Sequence, residues 1–412
     1  MIAFTNVKVF DGESAVLTPA TVVVAGDRIV SAGGAPPPPD AEIIDGGGQT
    51  LMPGLIDAHI HAYAADVNVV KVMTMPMTLL SQWANGMLRN MLDRGFTSVR
   101  DTGGADYGLH LAIEQGLFPA PRLFYCEKAL SQTGGHADFR HHHHHHDPSA
   151  EHLVACGCGV VNHLAYVVDG VDKIRHAVRE NVRRGSSFIK LMGSGGVASP
   201  SDPLDRAQYS DDEIRAIVDE VERAGIYCTA HIHPDHALKR AIRLGVHCIE
   251  HGTLIEPDTA RLAAERGTSI VPTMAVIAAL AKEGKELGFP PESLVKLDLV
   301  KDQAVARLQH MKDAGVRVGF GTDLLGKLER YECSEFALRS PIFSPVEILR
   351  QATSTNAEII GQKGNLGVIK KGALADLLLV DGDPTTNLSL LERDGAALPV
   401  IMKAGRFYKR AI

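Results

Sequence analysis

The stretch GLIDAHIHAY, residues 54–63, ends an apolar run with His59 and His61 two residues apart. Residues two apart on a strand point to the same face, so the two imidazoles converge. Neutral imidazoles meeting in an apolar setting suit a divalent metal ion. On this pair alone, hydrogen-bonded core histidines are an equal reading. Four more apolar runs decide the matter: FIKLMGSGG carries Lys190, CTAHIHP carries His231 and His233, CIEHG carries His251, and GFGTD carries Asp323. Each has a bland alternative: a salt-bridged lysine, a histidine bonded to backbone, a helix-capping aspartate. Together they bring imidazoles, a carboxylate and a lysine to successive strand ends, a set able to hold metal and move a proton.

The elements that must position these residues form a repeating pattern. Over residues 53–355, eight short β-type runs alternate with amphipathic helical stretches: LIDAHIHA, FTSVRDTGG, PRLFYCEKA, SFIKLMGSGG, IYCTAHIHP, HCIEHGT, SIVPTM and VRVGFGTD. DDEIRAIVDEVERAG (211–225) and PDHALKRAIRLG (234–245) exemplify the helices. The pattern predicts an α/β fold, a (β/α)8 TIM barrel, whose active sites form where the strands end. An open doubly wound sheet is the alternative. Both ends of the chain read instead as short alternating strands separated by Gly-Asp and Asp-Gly turns. The expected division is a small β-sandwich domain from 1–52 plus 360–412, and a metal-dependent catalytic barrel from 53–359.

Composition narrows the function. Of 412 residues, 45% are hydrophobic and 22% charged, with a formal charge of −7. No basic stripe points to nucleic acid, and no apolar run is long enough for a membrane span. MIAFTNVKVFDG lacks a basic start followed by a long apolar core, so the default location is cytoplasmic. Six cysteines are too few for a disulfide framework; Cys156 and Cys158, spaced C-G-C, read as free thiols. The run His141–His146 has the look of a purification tag in a polar loop. GSGGVA (193–198) lacks the dinucleotide and P-loop fingerprints and reads as a tight turn with backbone available to a substrate.

The order HxH, Lys, His, His, Asp, together with the two-ended sheet domain, resembles the amidohydrolase superfamily across nearly the whole chain. The resemblance implies two divalent metal ions, expected to be zinc, bridged by a carboxylated Lys190. His59, His61 and Asp323 would hold the more buried ion, and His231 and His251 the other. Asp323 would also pass a proton from water to the leaving nitrogen. A free lysine would repel two cations, whereas its carbamate is an anion with two oxygens. The loop LSQTGGHADFR resembles those of the branch related to imidazolonepropionase. That branch includes prolidase-like zinc carboxypeptidases and the bacterial amidohydrolases that split ochratoxin A into phenylalanine and ochratoxin alpha.

The expected activity is therefore hydrolysis of the amide bond in a small N-acyl amino acid or dipeptide with a terminal carboxylate, ochratoxin A included. The alternatives are a Xaa-Pro or Xaa-Arg dipeptidase without ochratoxin activity and a mononuclear cyclic-amide hydrolase, against which Lys190 argues. A carboxylate needs cationic or hydrogen-bonding partners. His136 is the candidate for polarising the carbonyl or holding the substrate, and Arg140, His163, Tyr166 and His233 are candidates for meeting the carboxylate. Two features depart from the family pattern: the histidines after Arg140, and Pro234 after His233. A homo-oligomer is implied by resemblance. The apolar stripe in LLSQWANGMLRNML (79–92) would serve an interface or packing equally well.

Overall fold

The computed structural model describes residues 1–140, 162–199 and 202–412. The six-histidine run, Cys156 and Cys158 lie outside the described residues. The four described cysteines, Cys126, Cys228, Cys248 and Cys333, are free and buried.

The central strands are parallel and apolar on both faces. Leu55–Ile60 and Phe96–Asp101 bury every residue, as strands do when helices cover both sides of a sheet. With Arg122–Tyr125 they form one parallel sheet. The second runs, in order, Ala165–Val167, Ala129–Ser131, Ile189–Met192, Cys228–Pro234, Cys248–Leu254 and Ser269–Val271. Residues 318–320 connect the two sheets. Val318 bridges Ile270 in parallel, and the Ala58 N–H donates to the Phe320 carbonyl at 2.9 Å. On the other side, the Ser187 N–H donates to the Tyr125 carbonyl at 2.8 Å. All eight runs read from the sequence thus take part in parallel pairing, and Ala129–Ser131 and Ala165–Val167 are additions that the sequence pattern did not mark.

The eighth run is held by a bridge instead of a full strand. A Cβ on Gly319 would lie 2.7 Å from Asn356 Oδ1, and one on Gly321 would lie 2.9 Å from the His59 Cβ. Glycine at 321 lets the run press directly against the first central strand, and glycine at 319 lets it press against Asn356.

The helices follow their local signals. Asp211–Ala224 opens on a Ser210–Glu213 capping box and stops at Gly225, with φ of 69°, both standard terminators. Met77–Asp93 buries Leu80, Ala84, Leu88 and Leu92, spaced by four, in the chain's own core. Packing therefore accounts for the stripe that could have been an interface. Among the described residues, no helix is long and apolar enough to cross a membrane.

The chain's two ends build one eight-stranded sheet. Its order is Arg406–Arg410, Val400–Lys403, Leu377–Val380, Thr50–Pro53, Ile2–Val9, Thr18–Ala25 and Arg28–Gly33, with Glu42–Asp45 pairing to Ile2–Val9. Phe4, Val24, Ile29, Leu377 and Met402 share its apolar cluster.

Candidate active site

His59 and His61 converge as their spacing predicts. Their Nε2 atoms lie 3.3 and 3.4 Å from the same Asp323 oxygen. Backbone contact brings Asp323 there: its N–H donates to the His59 carbonyl at 2.8 Å. Asp323, His251 and Thr273 have φ of 55°, 72° and 50°. This left-handed conformation is uncommon outside glycine and concentrates at functional sites. The donor atoms of His59, His61 and Asp323 lie within 4.8 Å of one another, and so do those of His231, His233 and His251. The two groups adjoin, with the His59 and His251 rings 5.1 Å apart. Lys190, 1% exposed, lines the same cavity.

Four imidazoles are fixed through Nδ1. His59 Nδ1 donates to Glu250 at 2.6 Å, and His61 Nδ1 to the Gly103 carbonyl at 2.8 Å. His233 and His251 bond the hydroxyls of Thr253 and Thr273, each at 2.7 Å. Partners of this kind set the tautomer and ring orientation of a metal-ligating histidine. His231 Nε2 is buried and has no hydrogen-bond partner among the described residues, so it lacks what buried polar atoms normally have.

Burial holds His231 and His251 well below the usual imidazole range and brings His233 down to about 3. Neutral imidazole is the ligating form. Burial alone would raise Asp323, but His59 and His61 outweigh it and favour the carboxylate. Burial also lowers Lys190 and so disfavours its ammonium form. Burial would lower His59 too, but Asp323 and Glu250 push it the other way. Neutral imidazoles at His231, His233 and His251, an ionised carboxylate and an orphaned ring nitrogen are a donor set that fits divalent metal.

A layer of buried charge behind these groups escaped the sequence reading. Glu250 accepts from His59, from Arg100 Nη2 at 2.6 Å and from the Thr229 hydroxyl. Asp57 accepts the His59 N–H at 2.9 Å and the Thr322 hydroxyl at 2.6 Å, tying the first run to the eighth. Asp101 accepts the N–H groups of Ala62, Gly103 and Ala105, shaping the turn that receives His61. The available signal was a charged residue inside each mostly apolar, buried run: LIDAHIH, FTSVRD and CIEHG.

His136 joins the cluster. Its ring stacks on His231 at 4.1 Å between centroids, and its Nδ1 lies 3.3 Å from Asp202. Gly196 covers both rings: a Cβ there would sit 2.3 Å from His136 Cε1 and 2.4 Å from His231 Nε2. The turn read in GSGGVA therefore packs on the histidines. Lys296 fastens it, donating to the carbonyls of Gly196 at 3.0 Å, Ser199 at 2.6 Å and Asp202.

The remaining candidates are not brought to the cluster. Arg140 and Tyr166 line a neighbouring cavity with Lys128 and Asn162, and Phe139 lines both cavities. Arg140 is held by Asp138 through two contacts of 2.6 Å. Lys128 lies over the Tyr166 ring. His163, partly buried, is among the lining residues of neither cavity. His233, read from sequence as a substrate contact, stands among the possible metal donors.

A sequence profile of the amidohydrolase family matches residues 50–406. Ochratoxinase from Aspergillus niger is 30% identical over 374 residues, covering 87% of this chain and 75% of that one. A solved prolidase complexed with N-methylphosphonate-L-proline has a TM-score of 0.95 at 44% identity, over 99% of both chains. A Xaa-Pro dipeptidase with bound methionine in its active site has a TM-score of 0.84 at 28% identity, also over 99% of both chains. The chain is a hydrolase and belongs to the amidohydrolase family.

Proposed function

We propose that this chain is a binuclear metal-dependent amidohydrolase that releases a carboxyl-terminal amino acid from N-acyl amino acids or dipeptides, ochratoxin A among them. The observation that carries the reading is the pair of adjoining donor groups, His59–His61–Asp323 and His231–His233–His251, with Lys190 on the same cavity. His59, His61 and Asp323 would hold one ion, and His231 and His251 the other. Lys190, as its carbamate, would bridge them. When bound, such ions polarise a carbonyl and lower the pKa of water towards neutrality.

The chain's own groups do the rest. Asp323 takes a proton from the attacking water and returns it to the leaving nitrogen as the C–N bond breaks. His136, held by Asp202 and Gly196, steadies the carbonyl oxygen. His233 meets the substrate carboxylate, Arg140 and Tyr166 act on it only from beyond Phe139, and His163, lining neither cavity, takes no direct part. In this reading the parallel segments close as a (β/α)8 barrel over 53–359, and residues 1–52 with 360–412 fold as the sandwich. A cytoplasmic homo-oligomer with zinc completes the proposal.

The test is metal content per subunit on stripped and reloaded protein lacking the six-histidine run, with phenylalanine release from ochratoxin A. Two tightly held ions with release support the reading, and Lys190→Ala should lose both. A single ion, or two ions without release, refutes the binuclear or the ochratoxin part respectively. A Xaa-Pro dipeptidase is the second reading, favoured by the likeness to the prolidase at 44% identity. It predicts release of proline from Xaa-Pro and none of phenylalanine from ochratoxin A.

A further inference from the structure

We infer that this site selects amides whose acyl part is apolar and uncharged, and so prefers N-acyl amino acids to free dipeptides; the inference rests on the amide-hydrolase reading above. One wall of the cavity comes from helices Met274–Glu283 and Pro291–Lys301, which contribute Val276, Ile277, Leu280 and Leu297. These pack with Val69 and Leu325 in one apolar cluster separate from the main core.

This wall offers no partner for a carboxylate. The amino-acid half of the substrate therefore goes to His136 and His233, and the acyl half to the aliphatic side. Among the described lining residues Asp323 is the one carboxylate, and it already contacts both His59 and His61; the Lys190 carbamate of the reading above would be taken up by the two ions. A dipeptide would bring an α-ammonium into this space, and an ammonium buried without a partner is strongly disfavoured. An acyl chain pays no such penalty, and each methylene it buries is worth about four-fold in binding.

The two substrate classes can be compared with a matched pair. L-Leucyl-L-phenylalanine and N-(4-methylpentanoyl)-L-phenylalanine differ only in the α-ammonium. With the intact, metal-loaded enzyme at pH 7, the acyl compound should show a kcat/KM at least about ten-fold higher. That ratio should narrow as pH rises through the dipeptide amine's pKa, near ~8. Along N-acetyl-, N-butanoyl- and N-hexanoyl-phenylalanine, kcat/KM should climb by about four-fold per methylene until the wall is covered. Equal or faster cleavage of the dipeptide overturns the inference, as does a flat acyl series, while leaving the amide-hydrolase reading intact. Cleavage of none of these compounds overturns the phenylalanine-releasing form of that reading, and the inference with it.

Discussion

Glu250→Gln isolates what the buried charge behind the cluster does. Glu250 is fully buried and is shared by His59 Nδ1 and Arg100 Nη2, each at 2.6 Å, and by the Thr229 hydroxyl. Burial would raise its pKa, but Arg100 and His59 drive it far below the carboxylate range, so the charge itself is what the amide removes. Two consequences separate. Arg100, also fully buried, loses its counter-ion, and breaking a buried pair from one side costs about 3–5 kcal/mol. His59 keeps at best a neutral acceptor, and losing such an outer partner lowers metal affinity by about 10–100-fold.

Adding Arg100→Met tells the two apart. The double variant should regain most of the lost stability, because no unpaired charge remains, yet its metal affinity should stay low. Urea unfolding reads the first quantity and competition with a chromophoric zinc chelator reads the second. If Glu250→Gln holds metal within two-fold of the parent, the argument that Glu250 tunes His59 is wrong. Metal affinity restored together with stability in the double variant would refute it equally.

Other outcomes follow from the same geometry. Gly196→Ala should lower kcat/KM by about 100-fold or more while the chain still folds, because the methyl displaces His136 and His231 and misplacement by about 1 Å is that costly; steady-state kinetics beside circular dichroism decides it. Asp202 is pushed up by burial but pulled down further by His136 and Ser199, to about 2. Its folded pKa is thus below its unfolded one, so its contribution, about 2 kcal/mol, is present above about pH 4 and is lost as pH falls through about 2. The urea midpoints of the parent and Asp202→Asn should accordingly converge across that window. Arg140→Ala should change kcat/KM by less than about ten-fold, and His136→Ala by more than about 100-fold, since His136 alone of the two lines the histidine cavity; the reverse order would move the substrate across Phe139. His233→Gln should leave metal content unchanged and raise KM, and loss of one ion would make His233 a ligand.

The histidine set was legible because strand geometry is simple: a period of two and a shared strand end suffice to aim His59 and His61 at Asp323. The same arithmetic found eight parallel segments. It missed Ala129–Ser131 and Ala165–Val167, whose three residues each carry too little alternation to stand out. It also overlooked the Glu250–Arg100 pair, since a charge inside an apolar run does not name its partner 150 residues away. Loop residues were the hardest. Arg140 and His136 are four apart in one loop, yet they line different cavities because Phe139 stands between them. Side-chain direction in irregular backbone has no period from which to read it.

The small sheet also governs how this chain is made. Gln49 and Asp381 are hydrogen-bonded across it from positions 332 residues apart, and Leu51 pairs with Leu379. At translation speeds of about 5–20 residues per second, the amino-terminal strands wait roughly 15–65 s on the ribosome for their partners. During that wait Thr50–Pro53 is an open apolar edge, the kind of surface that recruits chaperones or aggregates. A stop codon just short of Leu377–Val380 would leave every histidine of the cluster in the product and still strand that edge. Such a truncation should therefore fail as insoluble protein and not as an inactive enzyme.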